Sequence, residues 1–272
     1  MKIKTYLYFI FLLFSISSWA TNDNNPIGGK VAGMGYAGVT LSDFWSVSNN
    51  QAGLGFVKNT AAGIYYENRF LVKELSSKSA AFVLPTQSGV FGVSMNYFGY
   101  NKYNETKVGL AYGKSFGQKI SAGIQLDYLN THIADNYGNK GAVTFEIGIL
   151  SKLSKSLSIG AHVFNPIRVK VADYNDERIA TIIKLGLMYN FSNKIIVIAE
   201  AEKNISYKPV YKAGIEYHII KEIYLRTGIA TNPTLNTFGI GIELKKIKID
   251  FASSFNQTFG YSPQISMVYN FN

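Results

Sequence analysis

The sequence predicts an all-β chain, a transmembrane antiparallel β-barrel of about 14 strands. Three observations carry that prediction. From about residue 60 onward, apolar residues alternate with Gly, Ser, Lys and Glu in segment after segment. This is the period-2 pattern of a strand with one apolar face. The segments are roughly ten residues long, the length of a tilted membrane strand. Tight turns alternate with longer polar loops, which gives the array a turn end and a loop end, as in bacterial outer-membrane barrels.

The N-terminus reads as a secretory signal over residues 1–20. Lys2 and Lys4 form a basic start, Tyr6 to Ile16 an apolar stretch, and Ser18-Trp19-Ala20 a small-x-small cleavage site, so the mature chain begins at Thr21. The apolar stretch is too short for a membrane helix, and no later stretch approaches the roughly 20 apolar residues that one needs. There are 0 Cys, which excludes a disulfide scaffold and a cysteine-linked lipid. The formal charge is +10, two units of it in the signal. In an exported protein that excess points to anionic lipid headgroups and lipopolysaccharide before nucleic acid.

The expected strands are 61–70, 77–86, 88–98, 105–115, 118–130, 141–152, 156–165, 178–191, 194–204, 209–219, 221–230, 234–244, 245–255 and 262–271. Ile247-Lys248-Ile249-Asp250-Phe251 shows the alternation in its simplest form. No amphipathic helix separates the segments, so neighbours pair antiparallel. The expected turns include Pro85-Thr86-Gln87, Phe116-Gly117-Gln118 and Lys245-Lys246, and the expected loops are 99–105, 131–141, 166–177, 204–208 and 256–261. An even strand number places both termini on the turn side, the periplasmic side of an outer-membrane barrel. Tyr112, Tyr189, Phe191, Tyr217, Tyr269 and Phe271 fall near the turn-side strand ends, where an aromatic girdle belongs. A soluble sandwich also alternates. Here the second face is rich in Gly, Lys and Glu, poor material for a dry core.

Ahead of the strands, Gly33, Gly35 and Gly38 match G-x-G-x-x-G, the spacing of dinucleotide-binding loops. That mechanism needs a strand before the glycines, a helix after them and a parallel sheet around them. An antiparallel array follows instead, so the cofactor reading falls. Glycines here serve a close-packed backbone where a Cβ would clash.

Residues 28–55, GGKVAGMGYAGVTLSDFWSVSNNQAGLG, resemble the start of the FadL-like outer-membrane barrels and of the related PorV and PorQ proteins of type IX secretion. Gly33-Met34-Gly35, Ala37-Gly38-Val39, Asn50 and Ala52-Gly53-Leu54 match the pattern; Asn49 stands where it has Trp and Gln51 where it has Pro. The later half is similar to short FadL/PorV-like proteins of the Bacteroidota. The resemblance implies that residues 21–58 fold inward as a plug or hatch, with Gly33, Gly35, Gly38, Asn50 and Gly53 as plug or gate residues, and that 59–272 form the barrel. FadL-type transporters carry large greasy outer loops, whereas Asn101-Lys102-Tyr103-Asn104-Glu105 here is short and polar. PorV proteins are longer than this chain.

Alternation places Lys184, Glu200, Glu202, Lys212, Glu216 and Arg226 in one sector of the lumen. A tight turn near Lys221 sets Glu216 opposite Arg226, and the turn near Asn193 sets Lys184 beside Glu200 or Glu202. Such pairs tune the passage of a charged solute or hold neighbouring strands together; the second reading is favoured. No Ser is tied by a motif to His132, His162 or His218, so no catalytic residue is assigned. There is no zinc or EF-hand spacing, and the acidic stretch Asp173-Tyr174-Asn175-Asp176-Glu177 reads as a solvated loop, so no metal or cofactor is assigned. Nucleic-acid modules are absent.

Two functions follow. One is a non-enzymatic accessory barrel of the PorV/PorQ type, working with a larger secretion channel or surface lipoproteins. The other is a FadL-like passive transporter of small hydrophobic compounds. Short loops, a plug and lumenal ion pairs favour the first.

Overall fold

The computed structural model describes residues 24–134, 138–170 and 178–271. The signal segment and the acidic stretch 173–177 lie outside them. Among the described residues, fourteen strands close into one antiparallel barrel in sequence order. They are β1 (Ala61–Asn68), β2 (Ser76–Pro85), β3 (Val90–Tyr100), β4 (Tyr103–Phe116), β5 (Ile120–Ile133), β6 (Gly138–Lys152) and β7 (Leu157–Phe164). They continue as β8 (Ile182–Asn190), β9 (Ile195–Asn204), β10 (Val210–Ile220), β11 (Ile223–Ala230), β12 (Leu235–Leu244), β13 (Ile247–Asn256) and β14 (Gly260–Asn270). β1 pairs with β14, so no edge is left to template association.

Two expected loops are hairpin arms instead. β3 and β4 pair up to Tyr100 and Tyr103, leaving Asn101-Lys102 as the turn. β5 and β6 pair up to Ile133 and Gly138. Polar residues such as Asn104, Glu105 and Thr131 suggested loop, but a ladder above the apolar band accepts polar side chains on both faces. The expected strand 178–191 is shorter. Ile179–Thr181 turn inward under Asn165, whose Nδ2 donates to Ile179 O at 2.8 Å.

The wall is inverted relative to a soluble protein. Ile64, Leu110, Leu126, Leu185 and Phe238 are all more than half exposed on the outside, a continuous apolar surface that needs lipid contact. Aromatic pairs mark the turn-side rim: Phe91 with Tyr112 at 5.0 Å, Tyr189 with Phe191 at 4.7 Å and Tyr269 with Phe271 at 5.2 Å between centroids.

The lumen is filled by residues 24–58. This inner segment contains α1 (Gly29–Gly33), α2 (Ser46–Asn49) and a 3-10 turn over Gln51–Phe56. It circles the inside of the wall. Its first half crosses β8 to β14 and its second half crosses β1 and β3 to β7. The wall gives up side chains along that path. Gly113, Gly123 and Gly148 are successive cross-strand neighbours on β4, β5 and β6, and Gly214 faces Gly228 across β10 and β11. A Cβ at Gly113 would lie 2.5 Å from Gln51 O, and one at Gly214 2.5 Å from Met34 O. The second half buries Phe44, Trp45, Val47 and Leu54 against Tyr65, Val83, Val90 and Val268. Each such side chain contributes about 1.5–3 kcal/mol.

Asn24, the first described residue, lies in the loop-side half of the lumen, within reach of Lys107 and Lys184. Strand parity set both termini on the turn side. β1 starts and β14 ends on the turn side, as parity requires, and from Asn24 onward the inner segment runs from the loop-side half of the lumen to the turn-side start of β1.

Candidate functional site: the inner segment and its vestibule

The first half of the inner segment is held by polar groups of the wall. Thr237 Oγ1 on β12 accepts the Gly35 N–H at 2.8 Å and donates to Gly33 O at 3.0 Å. Glu200 Oε2 on β9 accepts the N–H groups of Gly38 and Val39, both at 2.8 Å. Lys30 Nζ donates to Glu216 Oε1 at 3.0 Å. Gly35 has φ +68 and Tyr36 φ +60. The left-handed pair swings the Tyr36 hydroxyl to Glu67 Oε1 at 3.1 Å. Burial, and then the Glu67 charge, push the Tyr36 phenol far above its ordinary pKa, so it stays protonated and donates.

The six lumenal residues named from the sequence point inward and form two clusters. On the turn side, Arg226 Nε donates to Glu216 Oε2 and its Nη1 to Asp250 Oδ1, both at 2.6 Å. Higher up, Lys212 Nζ meets Glu202 Oε2 at 2.6 Å and Glu200 Oε1 at 3.0 Å, while Lys184 stands 3.8 Å from Glu202. Asn50 Nδ2 donates to Val39 O at 2.6 Å and so ties the two halves of the inner segment together. Gly53 sits where a Cβ would come within 2.5 Å of Leu41 O.

A third cluster lies outside those six residues. Lys107 donates to Glu146 Oε1, and Glu146 Oε2 meets His162 Nε2 at 2.8 Å and the inner segment's Gln51 Nε2 at 2.9 Å. The same alternation that placed Lys184 inward also places Lys107, Asp127 and Glu146. Both departures from the family pattern are polar contacts. Gln51 reaches Glu146, and Asn49 clasps Ile27 through its N–H and C=O at 2.8 and 2.9 Å.

Above the inner segment, two cavities open on the loop side, of about 270 Å³ and about 820 Å³. Asn25, Pro26, Glu67 and Arg69 line both. Arg69 Nε donates to Glu67 Oε2 at 3.3 Å, and its guanidinium lies 4.9 Å from the Phe98 ring. Burial works hardest against the Arg69 charge, but Glu67 together with the Tyr36 and Tyr65 oxygens outweighs it and raises the pKa, so the cation persists. The larger cavity reaches across to Glu202, Asn204 and Lys212 on β9 and β10. Among the described residues, no group of three or more His, Asp or Glu side chains is arranged to hold a metal.

No protein-family model matches the sequence, and no curated protein does. Solved structures do match. The CymD monoaromatic hydrocarbon channel is 14% identical, with a TM-score of 0.69 over 93% of this chain and 99% of that one. The toluene transporter TbuX of Ralstonia pickettii is 13% identical, with 0.67 over 91% and 98%. A Pseudomonas aeruginosa FadL homologue is 11% identical, with 0.66 over 90% and 98%. The chain has the fold of the FadL-like barrels.

Proposed function

We propose that this protein is a non-enzymatic barrel of the Gram-negative outer membrane that passes a small compound inward from its loop-side vestibule, with the inner segment as the gate. The observation that carries the reading is the blind 820 Å³ vestibule, floored by a segment held through hydrogen bonds and ion pairs rather than by strand pairing. Such contacts exchange with water at modest net cost, about 0.5–1.5 kcal/mol each for neutral groups. The solved neighbours named as hydrocarbon channels and toluene transporters support passage as the role of this fold. Turns in the periplasm and loops outside fit lipid and lipopolysaccharide around the wall.

The chain has no Cys, which allows a single engineered lock. The Lys30 and Glu216 side chains meet at 3.0 Å across the gap between the inner segment and the wall, so Lys30→Cys with Glu216→Cys can be bridged by a short, reducible thiol cross-linker. In proteoliposomes the bridged protein blocks solute flux and reduction restores it. Equal flux in both states rejects the gate.

The accessory PorV/PorQ-type role is the second reading. It is favoured by how completely the inner segment fills the lumen: Val31, Ala32, Met34, Ala37 and Val47 have no exposed surface. A mild-detergent pull-down that recovers a large channel barrel or surface lipoproteins, together with zero flux in the reduced protein, supports that role instead.

A further inference from the structure

The cargo of the solved neighbours is apolar by name, but the vestibule here carries fixed charge on two walls. Two ion pairs face the larger cavity from opposite walls, Glu67–Arg69 at the top of β1 and Glu202–Lys212 on β9 and β10. In each pair one member is shut in and the other reaches open space. On β1 the open member is the cation: the Arg69 side chain is 23% exposed and Glu67 7%. On β9 it is the anion: Glu202 is 19% exposed and Lys212 5%.

The open members also keep hydrogen-bonding capacity. Arg69 spends only Nε on Glu67, and among the described residues its two Nη nitrogens meet no acceptor. Glu202 engages Lys212 and Lys184 through Oε2, and among the described residues its Oε1 meets no donor. Between these ends the lining is mixed: Asn204, Asn256, Ser254 and the Tyr36 hydroxyl are interspersed with Phe70, Val210, Ala230 and Leu235, and Lys208 adds an exposed cation. The cavity thus offers a planar guanidinium fork at one wall, a carboxylate oxygen at the other and amide partners between. A guanidinium fork binds carboxylates in two-pronged fashion. The volume falls within the range of small-molecule pockets, roughly 300–1,000 Å³.

From this arrangement we infer that the vestibule binds a zwitterionic solute of the short-peptide class, its carboxylate on Arg69 and its ammonium on Glu202. The inference rests on the transport reading and names the cargo of that same site.

The test uses full-length protein in proteoliposomes and in detergent, with trialanine as probe. Its N-acetyl derivative lacks the ammonium, its C-terminal amide lacks the carboxylate, and toluene serves as the apolar reference. Trialanine binds and passes, and either capped derivative binds roughly tenfold or more weakly, the size of one hydrogen bond to a charged group. Arg69→Gln abolishes the preference over the amide alone, and Glu202→Gln abolishes the preference over the N-acetyl form alone. The capped ligands test the same two contacts in the unaltered protein, so a variant that fails to fold does not shield the inference. Equal binding of capped and uncapped peptide overturns it. Passage of toluene with exclusion of trialanine overturns it while leaving the transport reading standing. Passage of neither, in protein whose inner segment is unlocked, removes both.

Discussion

Glu200 on β9 accepts the backbone N–H of Gly38 at 2.8 Å while its other oxygen meets Lys212 at 3.0 Å. One buried carboxylate thus joins the wall to the inner segment. The second N–H at Val39 makes the contact a small anion cradle formed by successive amides. Glu200→Gln keeps one acceptor but loses the charge, and leaves Lys212 with Glu202 alone. Amide hydrogen exchange at Gly38 and Val39 should rise while that of the barrel ladders stays slow. Unchanged exchange at those two amides would mean that other contacts hold the segment.

Arg226 stands between two carboxylates, Glu216 and Asp250, and all three are almost fully buried. Burying ions is costly, and the loss of one partner strands the others. Arg226→Met should therefore lower stability by about 3–5 kcal/mol, read as the urea midpoint of the barrel in detergent. Adding Asp250→Asn should recover most of that loss, because Asp250 is the carboxylate left without a cation, whereas Glu216 keeps Lys30. If the double variant is as unstable as the single one, packing rather than charge is what Arg226 supplies.

Alternation alone orients Glu216 and Arg226, because a side chain's face follows from its parity along the strand. Tight turns then set the register, and Glu216 lies directly opposite Arg226. The glycines of the wall were visible as residues but not as a path, because neighbours such as Gly123 and Gly148 are far apart in the chain. Their purpose needs the inner segment in place. Arg69 was hidden for another reason. It sits just beyond β1, in a turn whose next two residues, Phe70 and Leu71, have positive φ, so alternation no longer says where it points. The hairpin arms of β3 to β6 were missed because the apolar signal ends where the membrane does, although the backbone pairing goes on.

Gly35 offers the sharpest separation of the inner segment's role from the barrel's. It belongs to no strand, so all fourteen ladders can form without it. Its φ of +68 disfavours any side chain, at about 1–2 kcal/mol. A Cβ there would lie 2.5 Å from Ile229 O and 2.6 Å from Ala213 O. Both are backbone atoms of paired strands and cannot withdraw, so the inner segment must move. Gly35→Val should therefore break the Gly35–Thr237 hydrogen bond and lift the first half of the segment. The variant barrel should assemble and resist unfolding nearly as well as the parent, because the apolar half around Trp45 and Leu54 stays anchored. Its single-channel conductance should rise from near zero to a steady open level. A variant that assembles yet stays closed would place the barrier in the second half, at Asn50 and Gln51, and would reject Gly35 as part of the gate.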